Sequence, residues 1–147
     1  MIFKGMYEHT LDAQGRVFIP SKFRTGEQTL FVACEAFYTP TIWLFTEEYF
    51  DAIADRMGAF NLLDEEAQAI ERKLYATASD VVTDKKGRIQ LPQHLLDYAG
   101  LDRDVVISGV RSHIEIWSKE RWLEQMKDDN TSFARSVAKL RESGVRF

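Results

Sequence analysis

One nine-residue pattern occurs twice, and it restricts the fold more than anything else in the chain. Asp12-Ala13-Gln14-Gly15-Arg16-Val17-Phe18-Ile19-Pro20 returns as Asp84-Lys85-Lys86-Gly87-Arg88-Ile89-Gln90-Leu91-Pro92, 72 residues later. Both copies read Asp-x-x-Gly-Arg, then a β-branched residue, any residue, an aliphatic and Pro. A second block repeats at the same offset: Ile42-Trp43-Leu44-Phe45-Thr46-Glu47-Glu48-Tyr49-Phe50 aligns with Ile114-Glu115-Ile116-Trp117-Ser118-Lys119-Glu120-Arg121-Trp122. Two separated blocks that share one offset mark a tandem duplication.

Each unit reads as strand, Gly turn, strand, short helix, strand, turn, strand, helix. Pro20 with Gly26, and Pro92 with Gly100, bracket the short helices, since Pro suits a first turn and Gly the position past the end. Phe31-Val32-Ala33-Cys34 and Val105-Val106-Ile107-Ser108 resume as strands. Ile42-Trp43-Leu44-Phe45 is apolar on both alternating faces, which predicts neighbours on both sides, from the other copy or from another subunit. Half of 147 residues is a poor size for an independent core. The two copies are therefore expected to interleave strands around a pseudo-twofold axis as a compact barrel. The expected class is mixed β/α, mainly β, with flanking helices. The predicted divisions are 1–58 for the first repeat, 59–79 for a connecting helix, 80–126 for the second repeat and 127–147 for a helical tail.

Charge is unevenly spread. The chain carries 19 Lys+Arg against 23 Asp+Glu, a formal net charge of -4, which excludes coating nucleic acid by bulk charge but permits a local basic patch. Residues 46–71 hold eight acids and one base, on predicted helices from Thr46 to Met57 and from Asn61 to Ser79. Tyr49, Phe50, Ile53 and Met57, then Leu63, Ala67, Ile70 and Leu74, supply their apolar positions. The tail places Phe133, Val137 and Leu140 at helical spacing beside Arg135, Lys139, Arg141 and Arg146. Acidic helices and a basic tail on one chain suggest head-to-tail contact between subunits, with a ring as a closed solution. The single Cys34 excludes an intramolecular disulfide and favours a reducing cytoplasm. No apolar run approaches a membrane span, and no signal-peptide pattern opens the chain, so a soluble, membrane-free protein is expected.

In each repeated turn, Asp12 or Asp84 can cap backbone N–H groups, and Gly15 or Gly87 supplies the positive φ of a tight bend. Lys85, Lys86 and Arg88 form one basic cluster; Arg16, Lys22 and Arg24 form another. Lys4, Arg16, Lys22 and Arg24 stand against only Glu8 and Asp12 in residues 1–25. Taken as surface chemistry alone, Arg16 and Arg88 pair with Asp12 and Asp84 to stiffen two turns.

The doubled Asp-x-x-Gly-Arg, with Val17-Phe18-Ile19-Pro20, Ile89-Gln90-Leu91-Pro92 and the opening Phe3-Lys4-Gly5, resembles the MraZ family over nearly the whole chain. One copy alone would indicate only the broader AbrB/SpoVT/MazE-like swapped-hairpin class. The resemblance implies two such half-domains fused in one polypeptide and ring-shaped homo-oligomers. It also implies a nucleoid-associated transcriptional regulator of the division and cell-wall gene cluster, acting on promoter double-stranded DNA at short G-rich direct repeats. Under it, Arg16 and Arg88 read guanine O6 and N7 in the major groove. Lys4, Lys22, Arg24, Lys85 and Lys86 contact phosphate, and Asp12, Gly15, Asp84 and Gly87 set the turns.

Three other readings compete. Cys34, His9, His94 and His113 are the obvious nucleophiles or ligands, yet their spacings match no zinc pattern, triad or phosphate loop. No catalytic residue, metal or cofactor is expected. A protein-binding ring scaffold or antitoxin-like partner would keep the fold and use Trp43, Phe45, Trp117 and Trp122, which at their spacing suit a core better. RNA ranks below DNA because Phe18 is the only aromatic inside either motif.

Overall fold

The computed structural model describes residues 2–57, 63–127 and 130–146. The first copy contributes β1 (Phe3–Thr10), β2 (Arg16–Phe18), a 3-10 turn at Ser21–Phe23, β3 (Leu30–Glu35), β4 (Ile42–Thr46) and α1 (Glu47–Met57). Then follow α2 (Glu65–Ala76), β5 (Ser79–Val82), β6 (Arg88–Gln90), α3 (Gln93–Ala99), β7 (Asp104–Arg111), β8 (His113–Ser118), α4 (Lys119–Met126) and α5 (Asn130–Glu142). The first short helix is only a 3-10 turn. The interval from Pro20 to Gly26 is two residues shorter than that from Pro92 to Gly100, which leaves room for a single turn.

The strands interleave as the duplication requires. Six form an antiparallel sheet in the order β1-β7-β8-β4-β3-β5, and β2 pairs β6 in a separate ribbon. β1 pairs with β7 of the second copy, and β5 with β3 of the first, so each copy exchanges a strand with the other. β4 lies between β3 and β8, so the expected pairing between copies is present. Its two apolar faces are buried by two layers, Ile42 and Leu44 in the core under the ribbon and Trp43 and Phe45 in the cluster under α1 and α2. Trp43 faces Glu115 across β4 and β8, and Val17 faces Ile89 across β2 and β6. Both are pairs of repeat-equivalent residues, so the pseudo-twofold axis passes through them.

The core lies between ribbon and sheet. Val17, Ile19, Ile89 and Leu91 from the ribbon segments join Phe3, Phe31, Ile42, Leu44, Ile107, Ile114 and Ile116 in one buried cluster. Phe23 anchors the 3-10 turn there, edge-on to Phe3 at 5.4 Å and to Tyr7 at 5.5 Å. Gly100 closes α3 in the left-handed conformation, and the Leu101 N–H donates to the Leu96 carbonyl at 3.0 Å.

A second cluster lies outside the sheet. Cys34, Phe45, Met57 and Leu74 are buried there with Tyr49, Phe50 and Ile53, where α1 and α2 cover β3 and β4. Thr46 caps α1 by accepting from the Tyr49 N–H at 3.1 Å. The cap of α2 is Asp64, which accepts from the Glu66 and Ala67 N–H groups. The expected start at Asn61 lies outside the described residues, and Leu63 precedes the helix exposed rather than buried. Helix α5 forms at the expected spacing, yet Phe133 and Leu140 remain exposed. No helix among the described residues is long and apolar enough to cross a membrane.

Candidate nucleic-acid interface

The two repeated turns have one geometry. Asp12 Oδ1 accepts from the backbone N–H groups of Gln14 at 2.9 Å and Arg16 at 2.8 Å, while Oδ2 accepts from Arg16 Nε at 2.8 Å. Asp84 Oδ1 accepts from Lys86 and Arg88 N–H groups, each at 2.9 Å, and its Oδ2 from Arg88 Nε at 2.8 Å. Each carboxylate thus fastens both the turn backbone and the arginine that follows. Those bonds hold both carboxyls below the usual aspartate range, the Arg16 and Arg88 backbone N–H groups acting most strongly.

Reciprocal bonds lock the turns to the ribbon. The Leu91 N–H donates to the Gly15 carbonyl at 2.8 Å, and the Ile19 N–H to the Gly87 carbonyl at 2.9 Å. Gly15 and Gly87 sit at φ 78° and 86°, where a side chain would be strained. A Cβ on Gly87 would also lie 2.7 Å from the Arg24 guanidinium carbon, whereas one on Gly15 would meet Leu96 Cδ1 at 3.1 Å. Arg24 and Leu96 occupy equivalent places in the repeat, so a cation braces the second turn and an apolar side chain the first.

Alternation decides what faces outward. Val17 and Ile89 point into the core, which turns Arg16, Phe18, Arg88 and Gln90 to the outer face of the ribbon. Arg16 stands opposite Gln90, and Phe18 opposite Arg88. The two arginines are therefore diagonal neighbours, about 7–8 Å apart, roughly two base steps of about 3.4 Å. Each Nε is held by an aspartate, and the Nη groups of the two arginines differ in what they meet. Arg16 Nη2 donates to Gln14 Oε1. The Arg88 guanidinium lies 5.9 Å from the Phe18 ring centroid, and its Nη groups have no acceptor among the described residues.

Most of the basic residues singled out in the sequence gather here. Lys85 and Lys86 are exposed on the second turn, and Lys22 is exposed on the 3-10 turn. Arg24 is half-buried and directed inward, its Nε donating to the Ile19 carbonyl at 2.9 Å. Lys4 is not brought to the cluster. It pairs with Val110 near the opposite end of β1, about 20 Å of strand from Thr10. Three residues that sequence reasoning left out of the site belong to this face: Phe18, Gln90 and Gln14, whose carbonyl accepts from Gln90 Nε2 at 3.0 Å. Period-two alternation within each motif is the signal that finds Phe18 and Gln90.

Of the other reactive groups, His9 adjoins Phe18 with ring centroids 6.4 Å apart, while His94 and His113 lie elsewhere, beside the Thr77 carbonyl and Glu115. Cys34 is buried, and burial pushes its thiol up to about 12. Among the described residues no group of three or more His, Cys, Asp or Glu is placed to hold a metal ion.

Comparison with known proteins places the sequence in a family. The sequence model of the MraZ protein family, antitoxin-like by its description, matches twice, over residues 2–73 and 74–142. The transcriptional regulator MraZ of Acetivibrio thermocellus is 37% identical over 144 residues, covering 98% of this chain and 100% of that protein. The proteins of the same name from Carboxydothermus hydrogenoformans and Clostridium tetani are 39% identical over 121 residues and 31% over 144. They cover 82% and 98% of this chain, and 84% and 100% of their own. With both turns, the exchanged strands and two family matches along its length, the chain belongs to the MraZ family.

Proposed function

We propose that the chain is a sequence-specific transcriptional regulator, not an enzyme, that binds double-stranded DNA through the outer face of the β2–β6 ribbon. The observation that carries this reading is the pair of aspartate-buttressed arginines on that face, related by the pseudo-twofold axis. A two-stranded ribbon fits the major groove; Arg88, with Nε held by Asp84, offers its Nη end as a fork for guanine O6 and N7, and Arg16 does the same once its Nη2 exchanges Gln14 Oε1 for the base. Lys85, Lys86 and Lys22 neutralise phosphate at the flanks, so local charge serves a chain whose overall charge is negative. Arg24 adds positive potential while supporting the second turn, and Lys4 reaches only a more distant phosphate. Three relatives carry the name transcriptional regulator, in agreement with this chemistry.

The target we propose is short G-rich direct repeats in the promoter of its own division and cell-wall gene cluster, in the cytoplasm at the nucleoid. One head binds weakly, and several side by side gain from effective concentration. The acidic segment 46–71 and the basic segment 131–147 make a head-to-tail ring the natural assembly, with the exposed Phe133 and Leu140 as its apolar contacts. Within each subunit we assign the copies to 1–58 and 80–126, joined by 59–79 and followed by the tail 127–147.

The test is salt-dependent binding of the full chain to the DNA upstream of its own gene, with a scrambled duplex as control. Selective binding that falls with salt and is lost in the Arg16→Ala/Arg88→Ala protein supports the reading. Equal affinity of the variant, with assembly intact, returns the two turns to structural clamps.

A further inference from the structure

The repeat makes Phe18 and Gln90 equivalent positions, and they differ completely in chemistry. Because β2 and β6 are antiparallel about the axis, each lies opposite the arginine of the other copy: Gln90 beside Arg16, Phe18 beside Arg88. The outer face thus holds two unlike pairs. At one end, Gln90 donates to the Gln14 carbonyl at 3.0 Å, and Gln14 Oε1 accepts from Arg16 Nη2, giving a wholly polar surface. At the other, the Phe18 ring is 44% exposed, flanked by His9 at 6.4 Å and the Arg88 guanidinium at 5.9 Å. Phe18 contributes nothing to the main core, which lies on the opposite side of the ribbon.

We propose that Phe18 is a base-reading side chain that takes the C5 methyl group of a thymine, one to two base steps from the guanine held by Arg88. The inference rests on the DNA-binding reading given above. In the major groove a thymine presents one apolar group, the methyl, and an exposed apolar side chain on a groove-facing element is its complement. The 5.9 Å between the Arg88 guanidinium carbon and the ring centroid spans about two steps of roughly 3.4 Å. The first half-site, with Gln90 in the equivalent place, has no apolar surface for that methyl. The two halves of one head therefore read unlike base steps, and the head has a direction along its operator.

Deoxyuridine differs from thymidine only by the missing methyl, which makes it the probe. Each thymine of the promoter duplex is replaced in turn by deoxyuridine, and affinity is measured for the full-length protein and for Phe18→Leu, Phe18→Gln and Arg16→Ala/Arg88→Ala. We expect at least one replacement to weaken the wild-type protein about fourfold per head, the worth of one buried methyl group. Phe18→Leu keeps that sensitivity, and Phe18→Gln, which copies the first half-site, loses it. Phe18 is exposed, so these variants keep the fold, verified by circular dichroism. Wild-type protein indifferent to every replacement overturns the proposal, as does Phe18→Gln with undiminished sensitivity. If the double arginine variant binds like wild type, the DNA-binding reading itself fails. If only that variant loses binding and deoxyuridine has no effect, the failure belongs to Phe18 alone.

Discussion

Trp43 and Glu115 occupy the same place in the two repeats and meet each other on the pseudo-twofold axis, the indole Nε1–H donating to the carboxylate at 3.1 Å. The Trp117 indole donates to the other oxygen, Oε1, at 3.1 Å, and His113 Nε2 lies 3.7 Å from Oε2, the oxygen that Trp43 reaches. Duplication alone would place like opposite like on the axis. A tryptophan opposite a carboxylate instead joins the halves by a polar bond inside a mostly apolar sheet.

Replacing Glu115 by Ala should cost about 1–3 kcal/mol, because two indole donors lose their acceptor. Glu115→Gln, which keeps one acceptor oxygen, should cost less. Chemical denaturation of the two variants checks the order. Burial pushes the Glu115 carboxyl up, and the facing His113, Trp117 and Trp43 outweigh it, leaving the group below its usual value. Its contribution to stability is therefore complete above about pH 4.3 and lost as pH falls through the lower folded value.

The same sign applies at Asp12 and Asp84, whose carboxyls are also held low. The amide signals of Arg16 and Arg88 should stay constant from neutral pH down to about 3.9 and shift only below it. In Asp12→Asn and Asp84→Asn the guanidinium loses its charged partner, and DNA affinity should fall although the fold remains. Movement of the wild-type amides near neutrality would contradict the clamp geometry.

Lys85→Ala/Lys86→Ala should weaken binding by a similar factor on operator and scrambled DNA. It should lower the slope of log affinity against log salt by about one for each phosphate no longer neutralised. Arg88→Ala should instead cost about 1–3 kcal/mol on operator DNA and relax selectivity at one position. A titration series in salt separates the two behaviours.

Cys34 should resist thiol reagents at neutral pH, since the native thiol is buried and raised to about 12. Labelling should follow global unfolding, with a rate that rises through the denaturant transition. Fast labelling of native protein would mean that the α1–α2 cover opens on its own.

If the proposed ring closes through α5, Phe133→Asp/Leu140→Asp lowers the sedimenting mass while near-ultraviolet dichroism from the sheet tryptophans persists; an unchanged mass overturns that contact. Both residues are exposed on α5, so the subunit loses no core packing.

Periodicity and the repeated motif made the strands, the turns and the exchange between copies legible, because each leaves a local mark in the chain. Ile42-Trp43-Leu44-Phe45 announced a strand covered on both faces, and Thr46 announced its helix through its cap. What lay hidden depended on distance in space. Nothing near Lys4 in sequence tells how far β1 carries it from the turns. Nothing near Arg24 tells that its guanidinium packs on Gly87. Leu63 fits helical spacing yet lies before the Asp64 cap, and Phe133 lies on α5 yet outside the core, since spacing records neither where a helix starts nor what its face meets.

The exchange of strands also sets a timetable. Phe3 pairs with Arg111 and Thr10 with Asp104, so β1, once it leaves the ribosome, waits for roughly 100 further residues. At about 5–20 residues per second, that wait lasts roughly 5–20 s. Throughout it, Phe3 and the rest of β1 have no ladder partner in the growing chain. The first copy cannot mature before the second is made, and a ribosome stalled between them holds an unpaired strand edge open to a neighbouring nascent chain.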